Sequence, residues 1–159
     1  MEAASESLNR LEIILPAAPA PVASYVPAVS TGSLVVVSGQ IPMKEGVLIA
    51  TGRVPSEVSV QEAQVAARQC ALNALAVLEA EVEGGIDAIT RIVRVGVFVA
   101  SDPGFTDQPV IANGASDLLA EVFGKRGCHA RAAVGSVALP LNATVEVEMM
   151  VEVGEGPAN

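Results

Sequence analysis

Val145, Val147, Met149, Val151 and Val153 alternate with Glu146, Glu148, Met150 and Glu152. A period of two predicts a strand, here over 144–153, with one apolar and one largely acidic face. A different period governs the middle of the chain. Val60, Ala63, Ala67, Ala71, Ala74, Leu75 and Leu78 recur at helical spacing. Ser59-Val60-Gln61-Glu62 ahead of them is a capping box, and Gly84-Gly85 supply the stop, so a helix runs from Ser59 to Glu83. A second helix is predicted over 109–123, closed by Gly124. Runs of β-branched residues bounded by glycine or turn residues predict strands over 32–39, 91–100 and 131–139. A short antiparallel partner is expected over 46–51, and Pro140-Leu141-Asn142-Ala143 is the last turn. After a polar N-terminal stretch, Leu8 to Pro21 mixes apolar residues with Pro and Ala and reads as an extended arm lying on the domain.

The resulting order, β-β-α-β-α-β-β, is an α+β domain. Two helices cover one face of a five-stranded sheet and leave the other bare. The segment Arg131 to Leu139 is nevertheless small and apolar on both faces. Another copy of the same sheet is the simplest cover, so the chain is expected to be a homo-oligomer.

Composition sharpens this picture. In 159 residues, 51% are hydrophobic and only 17% charged, which excludes a disordered chain. The formal charge of −9 and the presence of only four aromatic residues argue against nucleic acid as a partner, because phosphates are repelled and bases find no stacking platform. The uncharged run from Ile13 to Met43 contains five prolines and two glycines, so it is not a membrane helix, and no membrane association is expected. Two cysteines without a secretory leader point to a reducing, cytoplasmic setting. One His and two Cys cannot make a zinc site, and the glycine-rich turns match neither a phosphate loop nor a dinucleotide fingerprint. Neither a metal nor another cofactor is expected.

Arg131 is the only charged residue between Arg126 and Glu146 with His129 neutral. Its planar fork of donors suits a substrate carboxylate; a structural Arg held by a strand glutamate across an interface fits the same facts. Glu146 and Glu148 have two readings as well: a solvated strand face, or one carboxylate placed in a cleft for general acid–base work. Ser38-Gly39-Gln40 ends a buried strand, where Gly39 either opens its backbone N–H to a ligand or makes a turn. Cys70 and Met149-Met150 read as packing.

Two segments together resemble a known family. Arg131-Ala132-Ala133-Val134-Gly135-Ser136-Val137-Ala138-Leu139-Pro140, followed by Val145-Glu146-Val147-Glu148, is similar to the C-terminal signature of the YjgF/Rid family of reactive-intermediate deaminases. Gly32 to Pro42, ending Ser-Gly-Gln-Ile-Pro with Tyr25-Val26 ahead of it, resembles the N-terminal signature. The resemblance implies a chorismate-mutase-like α+β fold: a mixed sheet of five to six strands, two helices on one face, and a homotrimer with ligand clefts between subunits. It divides the chain into an N-terminal extension (1–20), a single domain (21–154) and a C-terminal tail (155–159). By resemblance Arg131 binds a substrate carboxylate, the Gly39 backbone orients it, and Glu146 positions the attacking water. Tyr25, Ser38, Asn113 and Ala133 line the pocket. Ala133 stands where the family often has Cys, and His129 where many members have Pro. The implied activity is hydrolysis of an enamine or imine, such as 2-aminoacrylate, to a 2-oxo acid and ammonia. A non-catalytic trimer that binds a carboxylate metabolite through the same Arg131 is the alternative.

Overall fold

The computed structural model describes residues 2–19 and 24–154. Helices α1 (Ala4–Arg10), α2 (Val60–Glu81) and α3 (Gln108–Phe123) accompany seven strands. These are β1 (Ala28–Thr31), β2 (Leu34–Gln40), β3 (Met43–Lys44), β4 (Val47–Leu48), β5 (Ile89–Ala100), β6 (Ala130–Ser136) and β7 (Val145–Val153). Five of them form one mixed sheet in the order β1-β2-β7-β5-β6. All neighbours are antiparallel except β5 and β6, which are parallel and joined through α3. The α+β class and the five-stranded sheet agree with the sequence reading.

Strand β7 follows its pattern closely. Val145, Val147, Met149 and Val151 are buried, whereas Glu146, Glu148, Met150 and Glu152 are only partly covered. Helices α2 and α3 lie on the buried face, where Leu75, Leu78, Ile111, Leu118 and Leu119 are fully enclosed. Burying each such side chain contributes about 1.5–3 kcal/mol. The predicted capping box is present: the Ser59 hydroxyl accepts from the Glu62 amide at 3.2 Å, and the Glu62 carboxylate accepts from the Ser59 amide at 2.9 Å. The other sheet face carries no helix and exposes Val36 (40%) and Val134 (47%), while β6 is a mostly exposed edge.

Four elements differ from expectation. Residues 4–10 are not an irregular polar stretch but helix α1, because Ala4, Ser7 and Leu8 (an i, i+3, i+4 set) are buried together and Asp87 accepts from Ser5 at 2.6 Å and 2.9 Å. The arm therefore starts only after residue 11, and its far end at residues 20–21 lies outside the described residues, as does the tail at 155–159. Strand β1 was not anticipated; it forms a hairpin with β2 around Gly32, whose positive φ of 57° suits a residue without a side chain. The strand expected over 46–51 shrinks to Val47–Leu48, paired with Met43–Lys44 in a separate two-stranded sheet. Strand β6 stops at Ser136, because Leu139-Pro140 already enter a tight turn.

Candidate functional site

Arg131 sits near the start of β6 at the sheet edge. Its register partner on β5 is Val95, and that of Ala133 is Val97; both valines point under the helices. Arg131 and Ala133 therefore share the helix-covered face, where Ala133 packs against the core. From there the Arg131 side chain reaches α3. Nη1 donates to Asn113 Oδ1 at 2.9 Å and to Ser116 Oγ at 3.0 Å, and Nη2 donates to the Pro109 carbonyl at 3.2 Å. Positions 109, 113 and 116 are i, i+4 and i+7, one stripe of α3 facing β6. None of the three acceptors is charged. Among the described residues of one chain no carboxylate pairs with Arg131. Guanidinium has five N–H groups; three are engaged here, and among the described residues Nε and Nη2 each keep one N–H without a partner. A cleft of about 340 Å³ opens beside this group, lined also by Ser116, Asp117, Ala120, Cys128 and His129.

Glu146 lies on the open face of β7. Along the neighbouring strand, β2 bulges between Val37 and Gln40, diagonally across from Glu146, which brings Ser38 and Gly39 out of regular pairing. The Glu146 carboxylate folds over Gly39, and a Cβ there would land on its Oε1. Partial burial raises the Glu146 pKa above the ordinary glutamate value, and the negative charge of Glu148 adds to the effect. Glu148 has its own partner: it accepts from Arg94 Nη1 at 2.7 Å, over the space that Gly96 leaves without a side chain. Ser38 donates its hydroxyl to the Val26 carbonyl at 2.7 Å and so ties the segment bearing exposed Tyr25 to the bulge.

The predicted residues thus fall into two groups. Arg131, Asn113 and Ala133 form one; Glu146, Gly39, Ser38 and the Tyr25 segment form the other. Within one chain the groups do not meet. Glu146 pairs with Phe98 and Phe98 with Val134, three residues beyond Arg131 and on the opposite face. Two strand spacings and three residues of rise put the two backbones roughly 14 Å apart. Ser116 was not anticipated; the stripe it shares with Asn113 would have revealed it, once α3 was known to face β6. Cys70 is buried with its thiol pKa pushed up by that burial, and it donates to the Val145 carbonyl at 3.6 Å, which fits a packing role. The larger cavity, about 690 Å³ between residues 14–19, the β3–β4 hairpin and α2, contains none of the predicted site residues.

An α+β domain with a bare sheet face, an edge arginine in a neutral cradle and a half-buried glutamate over a glycine bulge defines a class, and comparison gives the family. Residues 6–153 match the family described as "YjgF/chorismate mutase-like, putative endoribonuclease", and the chain belongs to that family. It is 46% identical over 147 residues to protein TCP17 of Trypanosoma cruzi, covering 92% of this chain and 91% of that one. It is 32% identical over 139 residues to a 2-iminobutanoate/2-iminopropanoate deaminase of Dermatophagoides farinae, covering 87% and 93%. A solved structure of an Agrobacterium tumefaciens protein of unknown function superposes with a TM-score of 0.86 at 43% identity, covering 95% and 92%. Among the described residues no helix is long and apolar enough to cross a membrane.

Proposed function

We propose that the protein hydrolyses the imine or enamine form of a small 2-imino acid to a 2-oxo acid and ammonia, in clefts between the subunits of a cytoplasmic homotrimer. One observation carries this reading: Arg131 is fixed by three neutral acceptors yet, among the described residues, keeps an N–H on Nε and one on Nη2 for a carboxylate. The deaminase relative supports the same substrate class. In this mechanism Arg131 grips the carboxylate and so places the imine carbon. Water adds to that carbon while Glu146 takes one of its protons, giving a carbinolamine; the proton held by Glu146 passes to the nitrogen, and as the C–N bond breaks the hydroxyl loses its proton to Glu146, leaving the 2-oxo acid and ammonia. A raised pKa brings Glu146 nearer the working pH, where an acid–base group is most effective. Because the two groups lie on opposite faces of one sheet, the Glu146 group of a neighbouring copy has to complete each Arg131 cleft. The acidic charge of −9 speaks against a ribonuclease, which must attract phosphates.

The test is ammonia release from 2-iminopropanoate and 2-iminobutanoate generated in situ by a pyridoxal-phosphate enzyme. Release faster than the spontaneous rate is expected. A protein that binds pyruvate without accelerating release would instead be the metabolite-binding trimer.

Gly39 gives a separate prediction. A methyl group at position 39 collides only with the far end of a flexible side chain, so Gly39→Ala should fold with nearly unchanged Tm but push the Glu146 carboxylate aside. Turnover is expected to fall at least about tenfold, a modest share of what a placed general base supplies. Calorimetry and the ammonia assay check both halves; unchanged turnover would detach Gly39 from the site.

A further inference from the structure

His129 lies at the mouth of the Arg131 cleft, and two hydrogen bonds fix its chemistry. Its Nδ1 is 2.6 Å from the Gly127 carbonyl, and its Nε2 is 3.0 Å from Ser116 Oγ. A carbonyl can only accept, so Nδ1 carries the proton, and in the neutral ring Nε2 is a bare acceptor. Ser116 must then donate its hydroxyl proton to Nε2. On its other side Ser116 faces Arg131 Nη1 at 3.0 Å, and a guanidinium can only donate. With the ring neutral the order is fixed: Arg131 donates to Ser116, Ser116 to His129, and His129 to the Gly127 backbone. His129 pins a hydroxyl that would otherwise rotate and keeps its lone pairs on the guanidinium.

We propose that Ser116 and His129 are positioning residues that hold the Arg131 fork in register for a substrate carboxylate. This rests on the clamp reading of Arg131. Asn113 and the Pro109 carbonyl hold two of the three donated N–H groups. Ser116 holds the third, and it is the only contact whose own orientation depends on a further side chain. A fork left to rock by some tens of degrees still carries its charge but loses the two-point fit that makes it selective for a planar carboxylate.

The experiment is calorimetric titration of the intact protein with pyruvate, alongside the Ser116→Ala, His129→Leu and His129→Gln variants and the Ser116→Ala/His129→Leu pair. Ser116→Ala is expected to weaken pyruvate binding about tenfold, in line with loss of a charge-assisted hydrogen bond. His129→Leu should weaken it about threefold or more, and His129→Gln, whose amide oxygen can accept from Ser116, should come back to within about twofold of wild type. The double variant should bind no worse than Ser116→Ala, because His129 acts only through Ser116. Additive losses, or Ser116→Ala and His129→Leu both within twofold of wild type, would overturn the proposal. Wild-type protein that failed to bind pyruvate would instead remove the clamp reading beneath it. A second measurement does not depend on the variants. His129 is the only histidine, so nitrogen-15 spectra of its ring give one set of signals. In the neutral ring they should show the proton on Nδ1; the Nε2-protonated tautomer would contradict the chain of donors.

Discussion

Arg131→Lys is expected to bind pyruvate almost as weakly as Arg131→Ala, at least about tenfold below wild type, with the oligomer intact. An ammonium has three N–H donors, and the cradle of Asn113, Ser116 and the Pro109 carbonyl offers three acceptors. A lysine long enough to settle there has no donor left for a ligand, and one that leaves the cradle has no fixed direction. Hydrogen bonds to a charged group contribute about 1.5–3 kcal/mol each, so losing the two-point grip accounts for a fall of this size. Titration calorimetry with pyruvate, with light scattering to verify the assembly, checks it. Near-normal affinity in Arg131→Lys would show that position 131 supplies only charge.

Glu146→Gln should lower turnover by roughly one to three orders of magnitude while leaving pyruvate affinity unchanged or slightly higher, the range expected when a general base is lost. Glu148→Gln is the control, because Glu148 is engaged with Arg94 and not with the Gly39 bulge; its turnover should stay within about twofold of wild type, since Arg94 lies outside the site. The raised pKa of Glu146 also fixes the sign of two pH effects. As proton acceptor Glu146 must be ionised, so the rate should fall on acidification through a pKa above that of an ordinary glutamate, and that limb should vanish in Glu146→Gln. For folding the sign is opposite. A glutamate whose pKa is raised in the folded state binds its proton more tightly there than in the unfolded chain, so its contribution to stability declines as pH rises from the unfolded towards the folded value. Removing the charge should therefore raise Tm slightly at neutral pH. Equal losses of turnover at positions 146 and 148 would point to a general field effect instead.

Much of the fold could be read locally. The Val/Glu alternation of β7 and the Ser59 capping box are short-range features, and both survive in the structure because packing agrees with them. Helix α1 was missed because seven residues of Ala, Ser, Glu, Leu, Asn and Arg barely make two turns, and what stabilises them is burial on the domain. Strand β1 follows Pro27 inside an uncharged stretch whose composition suits an extended coil equally well; only its pairing with β2 makes it a strand. At the site, the family motifs led to Arg131, Glu146, Gly39 and Asn113. Their division between opposite sheet faces is set by the β5–β6 and β5–β7 registers, which no local pattern reveals. Ser116 needed the crossing of α3 over β6, a tertiary fact.

The central claim is that Arg131 of one copy and Glu146 of another work on the same imine. Co-expression of Arg131→Ala and Glu146→Gln chains tests it most directly. Each variant alone should be nearly inactive, whereas random mixing in a closed ring pairs an intact Arg131 with an intact neighbouring Glu146 at about a quarter of the sites. Recovery of ammonia release to about that fraction of wild type is the predicted result; mixed oligomers, verified by mass, that stayed as inactive as the separate variants would contradict the shared site.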